Sequence, residues 1–367
     1  MLHIEHVTDI ICDMFRWQES EGECCSAPTI RKDDGVITGP PIDPEIAHAL
    51  AATDEWSAPR LTLTNIPQYR ARQRLPDVNA ILEDAGMSRF DCKVATFDGV
   101  TIEMSVVQGP ARPGSRPLIY FVHGGGMITG HRWAWLQHFT KWSRRYDAVI
   151  ATIEYRLAPE HPDPAPVEDV YAGLVTAVRG AEEWGADPER ILVVGVSAGG
   201  GLAVGAGLMA RDRRGPAIMA QLLAYPMLDD RDETTSTLQV DGRGRWDRAK
   251  NRVGWEALLG SRRGSEDVSV YAAPGRADDL SGLPPTYLEC GSAEVFRDED
   301  VAFASKVWAA GGELELHVWP GGVHAFESLA PEAAISRGAL SARAAWLDRV
   351  LLPPERGGTC EPSARTS

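Results

Sequence analysis

The residues best suited to chemistry surround Ser197, in the pentapeptide 195–199, which reads Gly-Val-Ser-Ala-Gly. The pentapeptide follows a run of β-branched residues and precedes a helical pattern. In such a strand-to-helix turn the glycines let the backbone bend sharply, and the serine hydroxyl is exposed near the positive end of the helix. We therefore interpret Ser197 as a nucleophile. A glycine-rich packing turn is the alternative.

A second glycine-rich loop lies upstream, where residues 123–126 read His-Gly-Gly-Gly at the end of an apolar run. Because glycines carry no side chain, their backbone N–H groups can approach a substrate closely. Two or three such donors, including the N–H of Ala198 just after the nucleophile, would stabilise the oxyanion of an acyl-transfer reaction. A phosphate-binding loop is the alternative, but Met127 follows where such a loop would continue with Lys and Ser or Thr.

A serine nucleophile needs a base, and position along the chain selects among the nine histidines. His324 lies in a loop that reads Pro-Gly-Gly-Val-His-Ala-Phe and follows the last apolar run. It comes after Ser197 in the chain, which fits the order nucleophile, acid, base. We expect His324 to be the base, and we expect His123 and His161 to make structural hydrogen bonds in their loops.

A sheet must position these residues, because short apolar runs alternate with longer helical patterns from about residue 90 onward. The runs predict strands over 100–107, 117–124, 148–155, 190–196, 220–227, 285–291 and 313–319. Helical patterns lie between several of them, as at 166–185 and 298–312. This alternation predicts an α/β fold with a mostly parallel sheet covered by helices on both faces. The uncharged stretch 191–210 contains six glycines, so it predicts a strand, a turn and a packed helix rather than a membrane span.

Two regions interrupt the alternation. Residues 1–90 carry helical patterns with proline-rich interruptions and are expected to form no strand, and residues 228–284 are polar and rich in turns. Both are candidates for a lid over the carboxyl edge of the sheet. The alternative is that these regions lie on the surface without forming a lid and that residues 1–38 are disordered.

The composition of the chain limits its possible binding partners and its cellular compartment. The chain has 37 Lys and Arg against 52 Asp and Glu, a net charge of −15, which disfavours nucleic acid. Its six cysteines are too sparse for a disulfide framework, and adjacent Cys24 and Cys25 lack a second pair at zinc-binding spacing. An acidic N-terminus does not fit a signal peptide. We expect a cytoplasmic chain without a metal, a cofactor or a membrane partner.

Taken together, these motifs resemble a known family. The segments that carry the resemblance, in family order and spacing, are 123–127, 155–169, 195–200, 271–288, 291–300 and 320–326. They are similar to those of the hormone-sensitive-lipase-like esterases, bacterial family IV of the α/β-hydrolase fold. The resemblance covers roughly residues 90–350 and implies a catalytic domain over 91–350, with a helical cap built from the segment 1–90 and an insertion at 228–284. Residues 351–367 would form a C-terminal tail.

The resemblance also implies roles for particular residues. Gly125 and Gly126 would join Ala198 in the oxyanion hole. The catalytic Asp of the family falls at Glu294, four residues beyond the strand end at Cys290, whereas Asp298 is expected to cap the helix that follows. Val196 stands where the family most often has Asp, so a polar contact is missing there.

The expected function is that of a serine carboxylesterase acting on short- to medium-chain esters through an acyl-enzyme. Lactone, carbamate or amide cleavage by the same residues is an alternative, and a binding protein without catalysis, like the gibberellin receptors, is another. Met127, Trp133, Trp135 and Phe139 could line an apolar substrate pocket, although aromatic residues near a lid more often serve packing. The partner is expected to be a small-molecule ester, and a homodimer is left open.

Overall fold

The computed structural model describes residues 30–32, 35–53, 60–110, 115–242 and 244–352. It contains an eight-stranded sheet and a separate antiparallel pair of short strands. The strands, in chain order, are β1 Ile30–Lys32, β2 Gly35–Ile37, β3 Ser88–Ala95, β4 Thr101–Gln108, β5 Leu118–Val122, β6 Val149–Glu154, β7 Ile191–Val196, β8 Ala220–Ala224, β9 Thr286–Gly291 and β10 Leu314–Trp319. All seven predicted strands are confirmed, as β4 to β10.

The order across the sheet is β10-β9-β8-β7-β5-β6-β4-β3. Strands β5 to β10 run parallel, and β4 and β3 add an antiparallel edge. From β5 the chain moves outward to β6 and then returns to place β7 on the other side of β5. Ligands of open α/β sheets bind outside the carboxyl ends of the strands at such a reversal. The loops after β5 and β7 are therefore the expected location of a site.

One expectation about strands is wrong. Residues 1–90 were expected to form no strand, yet β1, β2 and the start of β3 lie there. Of the residues of β3, only Val94 is buried and most are exposed, because the strand covers the edge of the sheet. A strand of this kind carries no run of apolar residues, so the pattern that reveals buried strands is missing.

Helices cover both faces of the sheet. They are α1 Pro44–Ala51, α2 Ile66–Arg70, α3 Val78–Asp84, α4 Leu136–Tyr146, α5 Ala165–Gly180, α6 Ala198–Asp212, α7 Thr235–Gln239, α8 Arg248–Leu259, α9 Arg297–Ala309, α10 Phe326–Leu329 and α11 Ala334–Leu351. Alternate residues of β5 face opposite sides: Tyr120 packs in one core cluster and Phe121 in the other. Helices α5, α6 and α9 pack in the first cluster, and α4 and α11 in the second.

The stretch 191–210 forms β7, a turn and most of α6, as predicted. Every residue of α6 from Ala198 to Ala210 is buried, and at Gly201 a Cβ atom would lie 2.0 Å from the carbonyl oxygen of Met227. The glycines thus allow this helix to pack against neighbouring backbone. In the described part of the chain, no helix is long and apolar enough to cross a membrane.

The two segments expected to form a cap contain short helices. Helices α1 to α3 lie in the N-terminal one, and α7 and α8 lie within 228–284. The expectations for residues 1–29 and 353–367, which include most of the N-terminal extension and the C-terminal tail, fall outside the described residues.

Candidate active site

Ser197 occupies a sharp turn between β7 and α6, with φ 56° and ψ −124°. The turn is tight because a Cβ atom at Gly195 would lie 2.5 Å from the Gly199 carbonyl oxygen, and one at Gly199 would lie 2.3 Å from that of His123. The backbone N–H of Ser197 donates to the carbonyl of Ala224 at the end of β8. A positive φ is strained for serine, and these neighbours hold it in place.

The structure brings Ser197, His324 and Glu294 together in one chain of hydrogen bonds. Nε2 of His324 lies 3.0 Å from Oγ of Ser197, and Nδ1 lies 2.7 Å from Oε2 of Glu294. All three side chains are buried, Glu294 completely. A carboxylate only accepts hydrogen bonds, so Nδ1 carries the ring hydrogen and Nε2 accepts from the serine hydroxyl. This is the arrangement that removes a proton from an attacking hydroxyl.

The loops that carry the acid and the histidine are held by further contacts. The Gly291 N–H, at the end of β9, donates to Oε1 of Glu294 over 2.6 Å, so both carboxylate oxygens have partners. The ring of His324 lies edge-on to the rings of Tyr225 and Phe296, with centroid distances of 4.7 and 5.1 Å. These contacts fix the orientation of the imidazole.

A buried ionic network extends from Tyr225 away from the histidine. The Tyr225 hydroxyl donates to Glu327, and Arg343 bridges Glu327 and Glu289. Burial by itself would lower the pKa of Arg343, but the two carboxylates raise it above its ordinary value. Burial raises the pKa of Glu289, while Arg343 opposes that shift. Each buried carboxylate contacts the one guanidinium, so no charge of the network lacks an opposite partner, and the network fixes Tyr225 against His324.

The glycine loop after β5 presents backbone donors beside Ser197. Gly125 and Gly126 have φ angles of 119° and 60°, which glycine adopts without strain. A Cβ atom at Gly125 would lie 2.2 Å from the carbonyl oxygen of Thr129, and one at Gly126 would lie 2.4 Å from the Trp246 ring. Within the described residues, no group accepts a hydrogen bond from the N–H of Gly125, Gly126 or Ala198. These three donors are available to a ligand.

Arg70, at the end of α2, ties this loop to the rest of the site. Its Nε donates to the carbonyl of Ile128 at 2.6 Å, and its Nη2 donates to that of Ala158 at 2.7 Å. Glu160 forms a two-point ion pair with the same guanidinium. The Ala158 N–H donates in turn to the carbonyl of Met127. The N-terminal segment therefore supports the glycine loop directly.

His123, which precedes the three glycines, has a different role. Its ring is completely buried, stacks on Tyr155 and holds the Gly124 carbonyl at 2.8 Å from Nδ1. Burial lowers its pKa to about 3. The ring is neutral at physiological pH, so Nδ1 donates to the carbonyl. Its surroundings are those of a structural residue.

A cavity of about 780 Å³ opens over Ser197 and His324. Gly124, Gly125 and Trp135 line it beside the serine. Two further groups of lining residues, which the sequence did not single out, come from the candidate cap segments: Arg60, Leu61, Tyr69, Arg72 and Gln73, and Gly242, Gly244, Arg245, Trp246, Asp247, Ala249 and Lys250. Tyr225 was also missed, although its place at the end of β8, next to β7, is a usable signal.

Met127, Trp133 and Phe139 do not line this cavity. Met127 is completely buried in a core cluster, because its φ of 61° turns the side chain away from the loop. Trp133 packs under the guanidinium groups of Arg89 and Arg132. Of the aromatic residues proposed for the pocket, Trp135 is the one the structure places there.

Asp298 is not the cap of its own helix. Helix α9 begins at Arg297, and Asp298 accepts hydrogen bonds from the Ser236 N–H and from Nε of Arg297, at 2.7 Å each. It thus ties α9 to the first turn of α7. The expectation of an N-cap is wrong because the N-cap position is Phe296, two residues earlier than the sequence indicated.

One group of described residues could supply three metal ligands. The ligand atoms of Cys290, Glu294 and Asp300 lie within 4.8 Å of one another, and all three residues are buried. Both Glu294 oxygens already bind Gly291 and His324, so a metal there would compete with the contact to the imidazole. Neither side-chain oxygen of Asp300 has a hydrogen-bond partner within the described residues. Burial, then the charges of Glu294 and Glu299, raise the pKa of Asp300 well above its ordinary value.

Comparison with known proteins gives consistent matches. A family model described as alpha/beta hydrolase fold matches residues 119–328. Carboxylesterase NlhH of Mycobacterium tuberculosis is 32% identical over 283 residues, which cover 73% of this chain and 86% of that protein. Carboxylic ester hydrolase LipN of the same organism is 35% identical over 251 residues, 66% of each chain. Among solved structures, "Bacterial Heroin Esterase" has a TM-score of 0.76 at 34% identity and covers 85% of this chain and 98% of that chain. The matched range 119–328 contains Ser197, Glu294 and His324.

Proposed function

The chain belongs to the α/β-hydrolase family, in its hormone-sensitive-lipase-like branch, and we propose that it is a serine carboxylesterase that works through an acyl-enzyme. Its homologues are carboxylesterases, which supports ester hydrolysis. The observation that carries the finer proposal is the hydrogen-bond chain from Ser197 Oγ through His324 to Glu294, of which Ser197 and His324 line a cavity.

In the first step, Oγ of Ser197 attacks the ester carbonyl carbon while Nε2 of His324 takes the hydroxyl proton. The imidazolium that forms is stabilised by Glu294, which holds the proton on Nδ1 at 2.7 Å. The 3.0 Å contact between the hydroxyl and Nε2 is within the range for direct proton transfer.

The carbonyl oxygen becomes an alkoxide in this step. The N–H groups of Gly125, Gly126 and Ala198 would donate to it, and one such donor typically lowers the barrier by about 3 to 4 kcal/mol. When the tetrahedral intermediate collapses, His324 returns the proton to the leaving alcohol. Water then attacks the acyl-enzyme by the same route, which releases the acid and restores Ser197.

A fluorophosphonate probe tests the nucleophile. We expect it to label Ser197, because a serine beside a base reacts far faster than an ordinary hydroxyl. Ser197→Ala should abolish labelling and turnover together, whereas Ser305→Ala, which changes an exposed serine on α9, should leave both intact. Labelling of another serine, with activity retained in Ser197→Ala, would contradict the mechanism.

We propose acyl chains of about two to eight carbons as the preferred substrates, because the resemblance is to capped esterases. Leu61, Tyr69 and Trp246, from the two candidate cap segments, line this cavity of about 780 Å³. Measuring kcat/KM across a series of 4-nitrophenyl esters checks this range. A clear preference for emulsified long-chain triglyceride would contradict it.

A further inference from the structure

The charge of the cavity wall is opposite to that of the chain. Among the described residues, four cationic side chains and one carboxylate, that of Asp247, line the cavity; the cations are Arg60, Arg72, Arg245 and Lys250. In the whole sequence acidic residues exceed basic ones, 52 to 37. A wall with the composition of the whole chain would carry more acidic than basic residues. The cavity wall is therefore a local concentration of positive charge.

The one carboxylate in the wall is already used by the backbone. Oδ1 of Asp247 accepts from the N–H of Lys250, and Oδ2 accepts from that of Gly242. Asp247 is the N-cap of α8, where a carboxylate also meets the positive end of the helix. These hydrogen bonds account for the position of Asp247. The net charge of the described residues that line the cavity remains positive.

Arg60 and Arg72 differ from Asp247 in the contacts that their side chains make. Both residues are exposed at the cavity mouth. No hydrogen bond or ion pair joins either guanidinium to the described part of the chain. Arginines that are exposed to solvent within a concave wall of one sign attract and orient anions.

We propose that the preferred ester carries a carboxylate, which the Arg60 and Arg72 side of the cavity binds while the ester group lies at Ser197. This inference rests on the proposed function, since it assigns a substrate class to the same site. Ser197, His324, Gly124 and Gly125 line the cavity, and the cations that line it come from the two candidate cap segments. The site thus separates into a part that reacts and a part that selects.

Pairs of esters that differ only in charge test the proposal. On the alcohol side, 4-acetoxybenzoate is compared with 4-acetoxybenzamide, and on the acyl side, monoethyl succinate is compared with ethyl succinamate. In each pair a carboxylate replaces a neutral amide of the same shape. The measured quantity is the ratio of kcat/KM, carboxylate over amide, because differences in intrinsic reactivity cancel when the ratio is compared between enzyme variants.

We expect the ratio for at least one pair to fall about threefold in Arg60→Gln or Arg72→Gln and about tenfold in the double variant, the size of effect that exposed ion pairs give. The ratio of the unchanged enzyme should also fall between 0.05 and 1 M NaCl, because salt screens the attraction. Arg74→Gln is the matched control: this arginine lies in the same segment but does not line the cavity, and the ratio should not change.

Protection of Ser197 from labelling tests carboxylate binding without requiring turnover of a substrate. Benzoate should slow fluorophosphonate labelling of Ser197 more than benzamide does, and the difference should vanish in the double variant. Ratios that stay within twofold in the double variant for both pairs, with equal protection by benzoate and benzamide, would overturn the proposal. Turnover that persists in Ser197→Ala would instead contradict the proposed function, so the two failures are distinguishable.

Discussion

Changing Glu294 to Gln replaces one carboxylate oxygen with an amide NH2, which removes the negative charge and leaves the shape of the side chain nearly unchanged. In the structure, the Gly291 N–H donates to Oε1, and Oε2 faces Nδ1 of His324. The Gly291 donor requires the amide oxygen on its side, so the amide NH2 of the variant faces the imidazole. Nδ1 must then accept, and the ring hydrogen moves to Nε2.

The consequence is a histidine in the wrong tautomer. With a hydrogen on Nε2, the ring cannot take the proton of Ser197 across the 3.0 Å contact. The same change in a serine-protease triad lowers kcat by about 10⁴-fold, which corresponds to about 5 kcal/mol of barrier. Because every hydrogen bond keeps a donor and an acceptor, we expect a change in melting temperature of only a few degrees.

The assay is kcat for 4-nitrophenyl acetate together with a thermal melt, and Asp298→Asn is the control. Asp298 lies in the same segment but contacts Ser236 and Arg297, not the histidine. Its substitution should retain most activity, because an Asn oxygen can still accept from the Ser236 N–H. Near-normal turnover in Glu294→Gln beside an inactive but folded Asp298→Asn would show that the acid is assigned wrongly.

Three other changes are informative. Arg70→Met removes the donors to the carbonyls of Ile128 and Ala158, so kcat should fall about 10- to 100-fold while Arg74→Gln has no effect. Gly126→Ala places a methyl group against Trp246 and should lower kcat on the order of 10²-fold; Gly86→Ala, at a similar φ in open space, isolates the cost of backbone strain and should affect stability alone. Asp300 has a raised pKa in the fold, so the folded state holds a proton that the unfolded chain loses above about pH 4, and stability falls as pH rises from there. The melting temperature of Asp300→Asn minus that of the unchanged protein should therefore be larger at pH 8 than at pH 5. An equal difference at the two pH values would refute this.

Much of the fold could be predicted because its central strands are buried on both sides. All five residues of β5 and all six of β7 are buried, and such strands appear in the sequence as unbroken apolar runs. The edge strand β3 gave no such signal, since charged residues such as Asp91 and Lys93 face solvent there. Its pairing with β4 depends on backbone hydrogen bonds that the choice of side chains hardly reveals.

The proximity of the residues proposed to react was predictable for a related reason. Ser197 directly follows a strand, Gly125 and Gly126 lie within four residues of another, and Glu294 is three residues beyond a third. Parallel strands bring their carboxyl ends to one edge, so sequence position alone places these residues close together. Which way a neighbouring side chain points was not predictable: Met127 adjoins the glycines, but a positive φ turns it into the core.

The wall of the cavity depends on a different kind of information. Helices α2 and α7 have only five residues each, too few to be stable by themselves. Their positions are set by contacts distant in sequence, such as those of Arg70 with Ile128 and of Asp298 with Ser236. The side chains that would select a substrate are therefore placed by tertiary contacts, while the groups that would react are placed by the sheet. Because no hydrogen bond or ion pair within the described residues involves the Arg60 or Arg72 side chain, we expect substitutions there to change the charge preference of the cavity without moving Ser197, His324 or Glu294.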